Sequence, residues 1–155
     1  MSTIKHAVNE PVRAYDPNDS VGQAQRASLK ARLDSMSRER VEIPLMIGGK
    51  AVRTGKTRKV VMPHSHGEVV AEFHLAGEAE LELAAHAALK AKAEWEALTP
   101  AERSAVFLKA ADLLAGPWRD RLNAATMLGQ SKNVFQAEID AACELIDFLR
   151  FNVQF

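Results

Sequence analysis

A carboxylate stands among phenylalanines near the end of the chain. Glu144, Phe148, Phe151 and Phe155 are separated by four, three and four residues, and in an α-helix this spacing places them on one stripe of the surface. A carboxylate in an aromatic surface can bind a ligand's ammonium group, because the rings exclude water and strengthen the charge. The same spacing is also typical of a half-exposed glutamate that pairs with a lysine or arginine beside core phenylalanines. On the pattern alone, we favour this structural interpretation.

Two other residues of the same segment carry groups that could do chemistry. Glu138 lies near the apolar side and needs a partner if it is buried, so we expect a structural ion pair or a helix-cap contact. Cys143 is the only cysteine. A nucleophilic thiol needs a cation or a helix N-terminus to lower its pKa, whereas Cys143 falls in mid-helix next to the carboxylate of Glu144. We therefore expect Cys143 to be a small buried core residue.

Two further patterns suggest ligand sites without completing one. His64 and His66 lie two apart in a predicted loop, but no other ligands stand nearby at metal-site spacing, and we expect a solvated turn. The run 129–132, Gly-Gln-Ser-Lys, lacks the preceding strand and the glycine spacing of a phosphate loop, and we expect a helix end with a short connector. The sequence also contains no strand–glycine loop–helix unit for a dinucleotide. We predict no catalytic, cofactor-binding or metal-binding residue in this chain.

The first half of the chain is predicted to form an arm, a helix and two β-hairpins. Residues 1–17 are polar and irregular, and a helix is expected from Ser20 to about Met36, capped by Asp19 or Ser20. In the segment 41–74, Gly48-Gly49 between short apolar runs favours a tight turn, because both central positions need positive φ. A second hairpin is expected from strands 58–62 and 68–74 around a loop at 63–67.

The second half is predicted to form a cluster of four helices. The strongest start signal is Thr99-Pro100-Ala101-Glu102, in which Thr99 and Glu102 can close a capping box and Pro100 fits the first turn. The expected spans are 78–95, 100–115, 118–128 (ending at Gly129) and a last helix that Asn133 caps and that continues to the final residue. The expected fold class of the chain is therefore α+β.

The last helix is unusually apolar. At about 100° per residue, six of its residues fall on one face: Phe135, Ile139, Ala142, Ile146, Leu149 and Val153. Leu145 and the phenylalanines of the stripe extend the apolar surface past half of the circumference, and such a helix is normally surrounded by protein. Residues 1–134 offer only amphipathic helices and small hairpins to cover it. We interpret the chain as a fragment whose missing part buries this helix.

Composition excludes several classes of partner. The chain has 155 residues with 20 Lys and Arg against 20 Asp and Glu, so no net charge attracts nucleic acid or an acidic membrane surface. A single cysteine excludes an internal disulfide and suits a reducing compartment. The N-terminus lacks the apolar region of a signal peptide, and no stretch is apolar enough to span a membrane. We predict a cytoplasmic protein that binds neither nucleic acid nor membrane.

Several motifs resemble one enzyme family. The most specific are Met127-Leu128-Gly129-Gln130-Ser131-Lys132, the run from Gln136 to Phe148, and Arg150-Phe151-Asn152. The runs 107–114 and 116–117, Ile43-Pro44 with the 47–49 hairpin, and Pro63 with His66-Gly67 are similar to the same family. The chain thus resembles the N-terminal half of the 1-pyrroline-5-carboxylate dehydrogenases of the aldehyde dehydrogenase superfamily. The resemblance covers nearly the whole chain from Pro11 onward.

The resemblance implies a fold, an activity and one site residue. The full protein would have an α/β aldehyde dehydrogenase fold, with an arm and helix in residues 1–40 and the N-terminal part of the cofactor-binding domain in 41–155. The family uses NAD to oxidise glutamate γ-semialdehyde to L-glutamate in proline degradation, and it forms dimers or larger homo-oligomers. Its nucleophilic cysteine is not matched by Cys143. Glu144 matches a glutamate that lines the aldehyde pocket, which implies a substrate-binding residue. The alternative is a non-catalytic truncated paralogue or assembly module that docks on dehydrogenase subunits.

Overall fold

The N-terminal arm leads into the first helix as predicted. The computed structural model describes residues 6–155, so residues 1–5 of the predicted arm lie outside the described part. Helix α1 spans Ser20–Met36, which confirms the predicted bounds. Of the two candidate caps, Asp19 has this role, because its side chain accepts a hydrogen bond from the amide of Gly22 at 2.7 Å. A cap of this kind satisfies one of the free amides of the first turn.

Both predicted hairpins are present, with one addition. Strands β2 (Leu45–Ile47) and β3 (Lys50–Val52) pair antiparallel around Gly48 and Gly49, whose φ angles are +56° and +75°. Strands β4 (Thr57–Met62) and β5 (Ser65–His74) form the second hairpin. A strand that the sequence did not resolve, β1 (Val41–Ile43), pairs parallel to β5 and completes a sheet of order β1-β5-β4.

One detail of the predicted hairpins was wrong. The loop expected at residues 63–67 is only a two-residue turn, because residues 65–67 already belong to β5. Before the first hairpin, Pro44 separates β1 from β2. Proline has no amide hydrogen to give to a strand neighbour, so the chain can leave one sheet there and enter another.

Three helices follow the sheet. Helix α2 spans Glu78–Ala97, α3 spans Pro100–Ala115 and α4 spans Arg119–Gln130. The capping box of α3 is present, with Thr99 and Glu102 bonded reciprocally. The predicted end of α4 at Gly129 was wrong, because the helix runs on to Gln130 and Ser131 takes the left-handed conformation with φ 55°. The Ser131 hydroxyl lies 2.7 Å from Nδ1 of His64, a contact that holds this strained turn against the sheet.

The last helix is interrupted, which the sequence did not predict. Helix α5 (Val134–Ala137) passes into a π-helix (Glu138–Cys143) and then into α6 (Glu144–Gln154). A π-turn accommodates one extra residue, which shifts the face before it by about 100° relative to the face after it. The prediction that Phe135 shares the buried face of Ile146 was therefore wrong, and Phe135 is 64% exposed. Glu138 takes its place on the buried side.

Two small clusters form the apolar core. The first joins the arm, α1 and α4 and contains Tyr15, Leu29, Ala124, Leu33, Met36, Met127 and Val134. The second joins α3 to the π-helix and α6 and contains Ala111, Ala142, Ile146, Leu114, Ala115 and Leu149. Helix α2 has no buried residue, and it meets α3 where Trp95 packs edge-on against Phe107 with ring centroids 6.5 Å apart. The α+β class is confirmed. Helix α2 is less enclosed by its neighbours than the predicted cluster of four helices implied.

Candidate functional site

Helix α6 presents three distinct faces. With about 100° between successive residues, Ile146 and Leu149 point to the second core cluster beside α3. A second face, made by Asp147, Arg150 and Gln154, is covered by the N-terminal arm. The third face lies opposite the core, and its residues are those of the predicted stripe: Glu144, Phe148, Phe151 and Phe155.

This third face, the Glu144 stripe, is open in the described part of the chain. Glu144 is exposed, Phe148 is 61% exposed and Phe155 is 93% exposed. The rings of Phe151 and Phe155 stack with centroids 6.4 Å apart and an interplanar angle of 29°. The spacing predicted a common stripe, and it holds because the π-helix ends at Cys143, before the first of these residues. The stripe therefore combines one carboxylate with a water-excluding aromatic surface.

The structural interpretation of Glu144 required a basic partner. Among residues 6–155, every ion pair of the structure involves other carboxylates, so none engages Glu144. An exposed carboxylate loses little by remaining in water. The structure therefore shows Glu144 as an exposed carboxylate without an ion pair among residues 6–155, and its role in ligand binding stays a prediction.

Glu138 is the centre of a buried hydrogen-bond network, and this network contains the ion pair that was expected for it. It accepts hydrogen bonds from Arg119 Nε at 3.1 Å, the Tyr15 hydroxyl at 3.0 Å and Asn123 Nδ2 at 2.7 Å. The amide of Arg13 donates a fourth at 2.9 Å. Burial alone would raise the pKa of Glu138, but the donors led by Arg119 outweigh burial and hold the pKa below its usual range. The carboxylate therefore stays ionised inside the protein.

Arg119 is one of several residues of this network that the sequence did not identify. Its guanidinium pairs with both Glu10 and Glu138, and Nη2 donates to the carbonyl of Pro11 at 2.7 Å. Burial alone would lower the pKa of Arg119, but the bonds to Glu138 raise it above its ordinary value. No local signal marks this arginine, because its partners lie 19 and 109 residues away in sequence.

Cys143 is buried, as predicted. Burial is the main cause that raises the pKa of its thiol to about 11. Arg119, whose Nη2 lies 3.3 Å from Sγ, lowers the pKa, and Glu138 raises it further. The expected contribution from Glu144 is not among the causes, because other carboxylates face the thiol. A thiol with this pKa is almost entirely protonated at neutral pH.

The remaining candidate ligand residues lie at the β4–β5 turn and in the connector after α4. His64 and His66 are exposed near the β4–β5 turn, and within residues 6–155 no three histidine, cysteine or acidic side chains group as metal ligands. Ser131 and Lys132 form the connector expected after α4, and Lys132 pairs with Asp140 at 2.7 Å. That pairing leaves its ammonium group engaged by a carboxylate instead of a phosphate.

Within residues 6–155, the junction between β5 and α2 is the one place where a strand leads directly into a long helix. A dinucleotide phosphate would need free amides and a favourable dipole at such a helix start. Here Gly77 donates its amide to Glu80 at 2.7 Å, and Glu78 and Glu80 both lie in the first turn. Glu80 thus occupies the Gly77 amide, and both carboxylates repel an anion, so this helix start does not fit a dinucleotide phosphate.

Sequence and structural comparisons identify the family. Residues 51–155 match the aldehyde dehydrogenase family, and the chain belongs to that family. It is 46% identical over 154 residues to the mitochondrial delta-1-pyrroline-5-carboxylate dehydrogenase of Dictyostelium discoideum. It is 44% identical to the human mitochondrial enzyme of that name. Each match covers 99% of this chain. The Mycobacterium tuberculosis delta-pyrroline-5-carboxylate dehydrogenase bound with NAD and cobalamin superposes with a TM-score of 0.93 at 46% identity, and the match covers 99% of this chain and 28% of that one.

The matches confirm the predicted family resemblance and also show its extent. The chain spans 27% of the length of the Dictyostelium relative and 26% of the human one. Both relatives are named as mitochondrial, so the cytoplasmic location stays a prediction. Within residues 6–155, no helix combines the length and the apolar character that a membrane span requires.

Proposed function

We propose that this chain is the N-terminal part of a longer NAD-dependent dehydrogenase that oxidises L-glutamate γ-semialdehyde, the open form of 1-pyrroline-5-carboxylate, to L-glutamate. The observation that carries this proposal is 46% identity across 99% of the chain to a dehydrogenase named for that substrate. In the proposed protein, residues 1–40 are an arm and helix, and residues 41–155 begin the cofactor-binding domain. The protein acts in the cytoplasm as a dimer or larger homo-oligomer.

Within this proposal, the described residues bind and orient substrate and perform no chemical step. Cys143 keeps its proton, since the pKa of its thiol is raised to about 11, and the β5–α2 junction does not fit a dinucleotide. The nucleophilic thiolate and the NAD site are therefore assigned to the part of the longer protein beyond the chain. NAD, when bound in that part, would be the hydride acceptor.

Glu144 is the proposed substrate-binding residue. Glutamate γ-semialdehyde carries an α-ammonium group several bonds away from its aldehyde, so a carboxylate can bind one end while the other end reacts. Glu144 offers such a carboxylate, with no ion-pair partner among residues 6–155 and with Phe148 one helical turn away. A charge-assisted hydrogen bond beside aromatic rings is stronger than one in open water.

The test uses the full-length gene product with 1-pyrroline-5-carboxylate and NAD. We expect Glu144→Gln to lower kcat/KM for this substrate by about tenfold or more, because a hydrogen bond to a charged group contributes about 1.5–3 kcal/mol. Activity on propanal, which lacks the ammonium group, stays unchanged. Glu82→Gln, which alters an exposed glutamate on α2, is the matched control and leaves both activities unchanged. A wild type that does not oxidise pyrroline-5-carboxylate overturns the proposed function, and an unaffected Glu144→Gln overturns the role of Glu144.

A second function is favoured by the exposed apolar side chains. Phe148, Phe155 and Leu89 are each more than half exposed, and such groups often form an interface. The corresponding proposal is a non-catalytic module that docks on dehydrogenase subunits. The reading frame beyond Phe155 distinguishes the two functions, because a downstream cysteine motif supports the enzyme and an immediate stop codon supports the module.

A further inference from the structure

Residues 7–10 of the N-terminal arm run antiparallel to helix α6 and bond to Gln154, Arg150 and Asp147. The amide of Ala7 donates to Gln154 Oε1 at 2.6 Å. The amide of Glu10 and the side chain of Asn9 both donate to Asp147, at 2.6 Å and 2.7 Å. The arm thus holds one long face of the helix that carries Glu144.

Glu10 is the strongest of these attachments. Its carboxylate bonds to Arg150 Nη1 on α6 at 2.6 Å and also pairs with Arg119 on α4. Arg119 in turn pairs with Glu138 in the π-helix directly before α6. The Glu10 side chain is only 11% exposed, so water screens these pairs little. One arm residue therefore ties α6 to α4 by directional contacts.

The other support of α6 is less directional. Ile146 and Leu149 pack against Ala111 and Leu114 of α3, and apolar contacts tolerate small rotations because burial has no preferred angle. Hydrogen bonds between charged groups weaken when their geometry changes. The arm therefore adds directional contacts to the apolar packing by which α3 supports α6.

We propose that the N-terminal arm is a positioning element for the substrate, with Glu10 as its principal positioning residue. By fixing the rotation of α6, the arm holds the Glu144 stripe at the place where the substrate's ammonium group binds. A rotation of about 10° at a radius of about 5 Å moves a side chain by about 1 Å, and a displacement of that size can cost about 100-fold in rate. This inference rests on the proposed function, since it assigns Glu10 a role in the same site.

The test compares two substrates in the full-length enzyme. We expect Glu10→Ala to raise KM for pyrroline-5-carboxylate by about tenfold, a partial loss of the positioning effect, while kcat and KM for propanal change less than about twofold. Glu10→Gln keeps the shape and part of the hydrogen bonding, so its increase in KM is smaller. A merely structural role for Glu10 would lower activity on both substrates together, and that result overturns the inference.

The matched control loosens the arm at a different place. Asp120→Asn removes the pair between Arg13 and Asp120, 2.8 Å apart, which ties the arm to α4 instead of α6. We expect it to leave the ratio of kcat/KM for the two substrates unchanged. A shift of that ratio as large as that of Glu10→Ala contradicts the inference, because the effect would then come from arm mobility in general.

Two further variants separate the positioning role of the arm from a folding defect and from a failure of the proposed function. If Glu10→Ala does not fold, Asp147→Asn, which weakens only the arm's amide contacts to α6, is measured instead. It is expected to raise KM for pyrroline-5-carboxylate alone, and an equal loss on both substrates overturns the inference. Glu144→Gln separates this inference from the proposed function. If Glu144→Gln removes the substrate preference and Glu10→Ala does not, only the positioning role of the arm is wrong.

Discussion

Arg119 and Glu138 form a buried ion pair that joins α4 to the π-helix, with side chains 3% and 0% exposed. The pair does not stand alone, because Glu10 binds the same guanidinium and Tyr15 and Asn123 bind the same carboxylate. Each charge therefore has several partners in a site without water access. This network, and not a large apolar core, connects the arm to the helix that carries the Glu144 stripe.

Removing one member of this pair destabilises the protein. We expect Glu138→Ala to lower the free energy of unfolding of the full-length protein by about 3–5 kcal/mol. The buried Arg119 keeps only Glu10 as an ionic partner, and the Tyr15 hydroxyl and the Asn123 amide lose this acceptor. Lys30→Ala, which breaks the exposed pair of Lys30 and Asp34, changes it by less than about 0.5 kcal/mol. Chemical denaturation measures both values. Equal effects of the two variants would show that the buried network does not support the fold.

The pH dependence of stability identifies Glu138 as an ionised buried group. Its pKa is held below the usual range, so its contribution is fully present above the pKa of an unfolded glutamate, about 4.3. The contribution is lost as the pH falls through the lowered folded pKa. We expect wild type to lose more stability than Glu138→Gln between pH 6 and pH 3, measured by denaturation at each pH. Parallel curves for the two proteins would contradict the assignment.

Cys143 is expected to be unreactive in the folded protein. Burial raises the pKa of its thiol to about 11, and only the thiolate form of a cysteine reacts with alkylating reagents. Brief treatment with iodoacetamide at pH 8 should leave the Cys143 peptide unmodified in the native protein and label it after denaturation, as read by mass spectrometry. Cys143→Ala should keep the activity of the full-length enzyme within about twofold. Rapid native labelling would show that the thiol is accessible.

Two glycines in helices give opposite expectations for alanine. A Cβ at Gly22 would lie 2.1 Å from the carbonyl oxygen of Asp16, so Gly22→Ala must displace the arm and costs about 1–3 kcal/mol. A Cβ at Gly129 meets nothing within 4 Å, and Gly129 lies inside α4. Gly129→Ala should therefore stabilise the protein by about 0.5–1 kcal/mol. Thermal unfolding of the two variants measures the contrast, and a stabilising Gly22→Ala would contradict the close packing of the arm on α1.

Local signals were sufficient for the helices and hairpins. The caps at Asp19, Thr99 and Asn133 involve contacts within three residues, and the Gly48-Gly49 turn depends only on backbone conformation. The Glu144 stripe was predictable for the same reason, since a single helical turn fixes its spacing. These features depend on neighbours in sequence and are visible before the chain folds.

Long-range contacts were not predictable in the same way. The parallel pairing of β1 with β5 joins residues 30 apart, and the bond from Ala7 to Gln154 joins residues 147 apart. The π-helix from Glu138 to Cys143 has no local signature either. Tertiary contacts therefore decide the orientation of α6, whereas the spacing of its side chains was predictable.

The most direct test of the account compares two aldehydes that differ only in the amino group. In the full-length enzyme with NAD, kcat/KM is measured for glutamate γ-semialdehyde and for 5-oxopentanoate, with wild type and Glu144→Gln. We expect wild type to prefer the amino substrate by about tenfold or more and Glu144→Gln to remove this preference, because one charge-assisted hydrogen bond is lost. A wild-type preference that survives unchanged in Glu144→Gln would contradict the role of the Glu144 stripe in substrate binding.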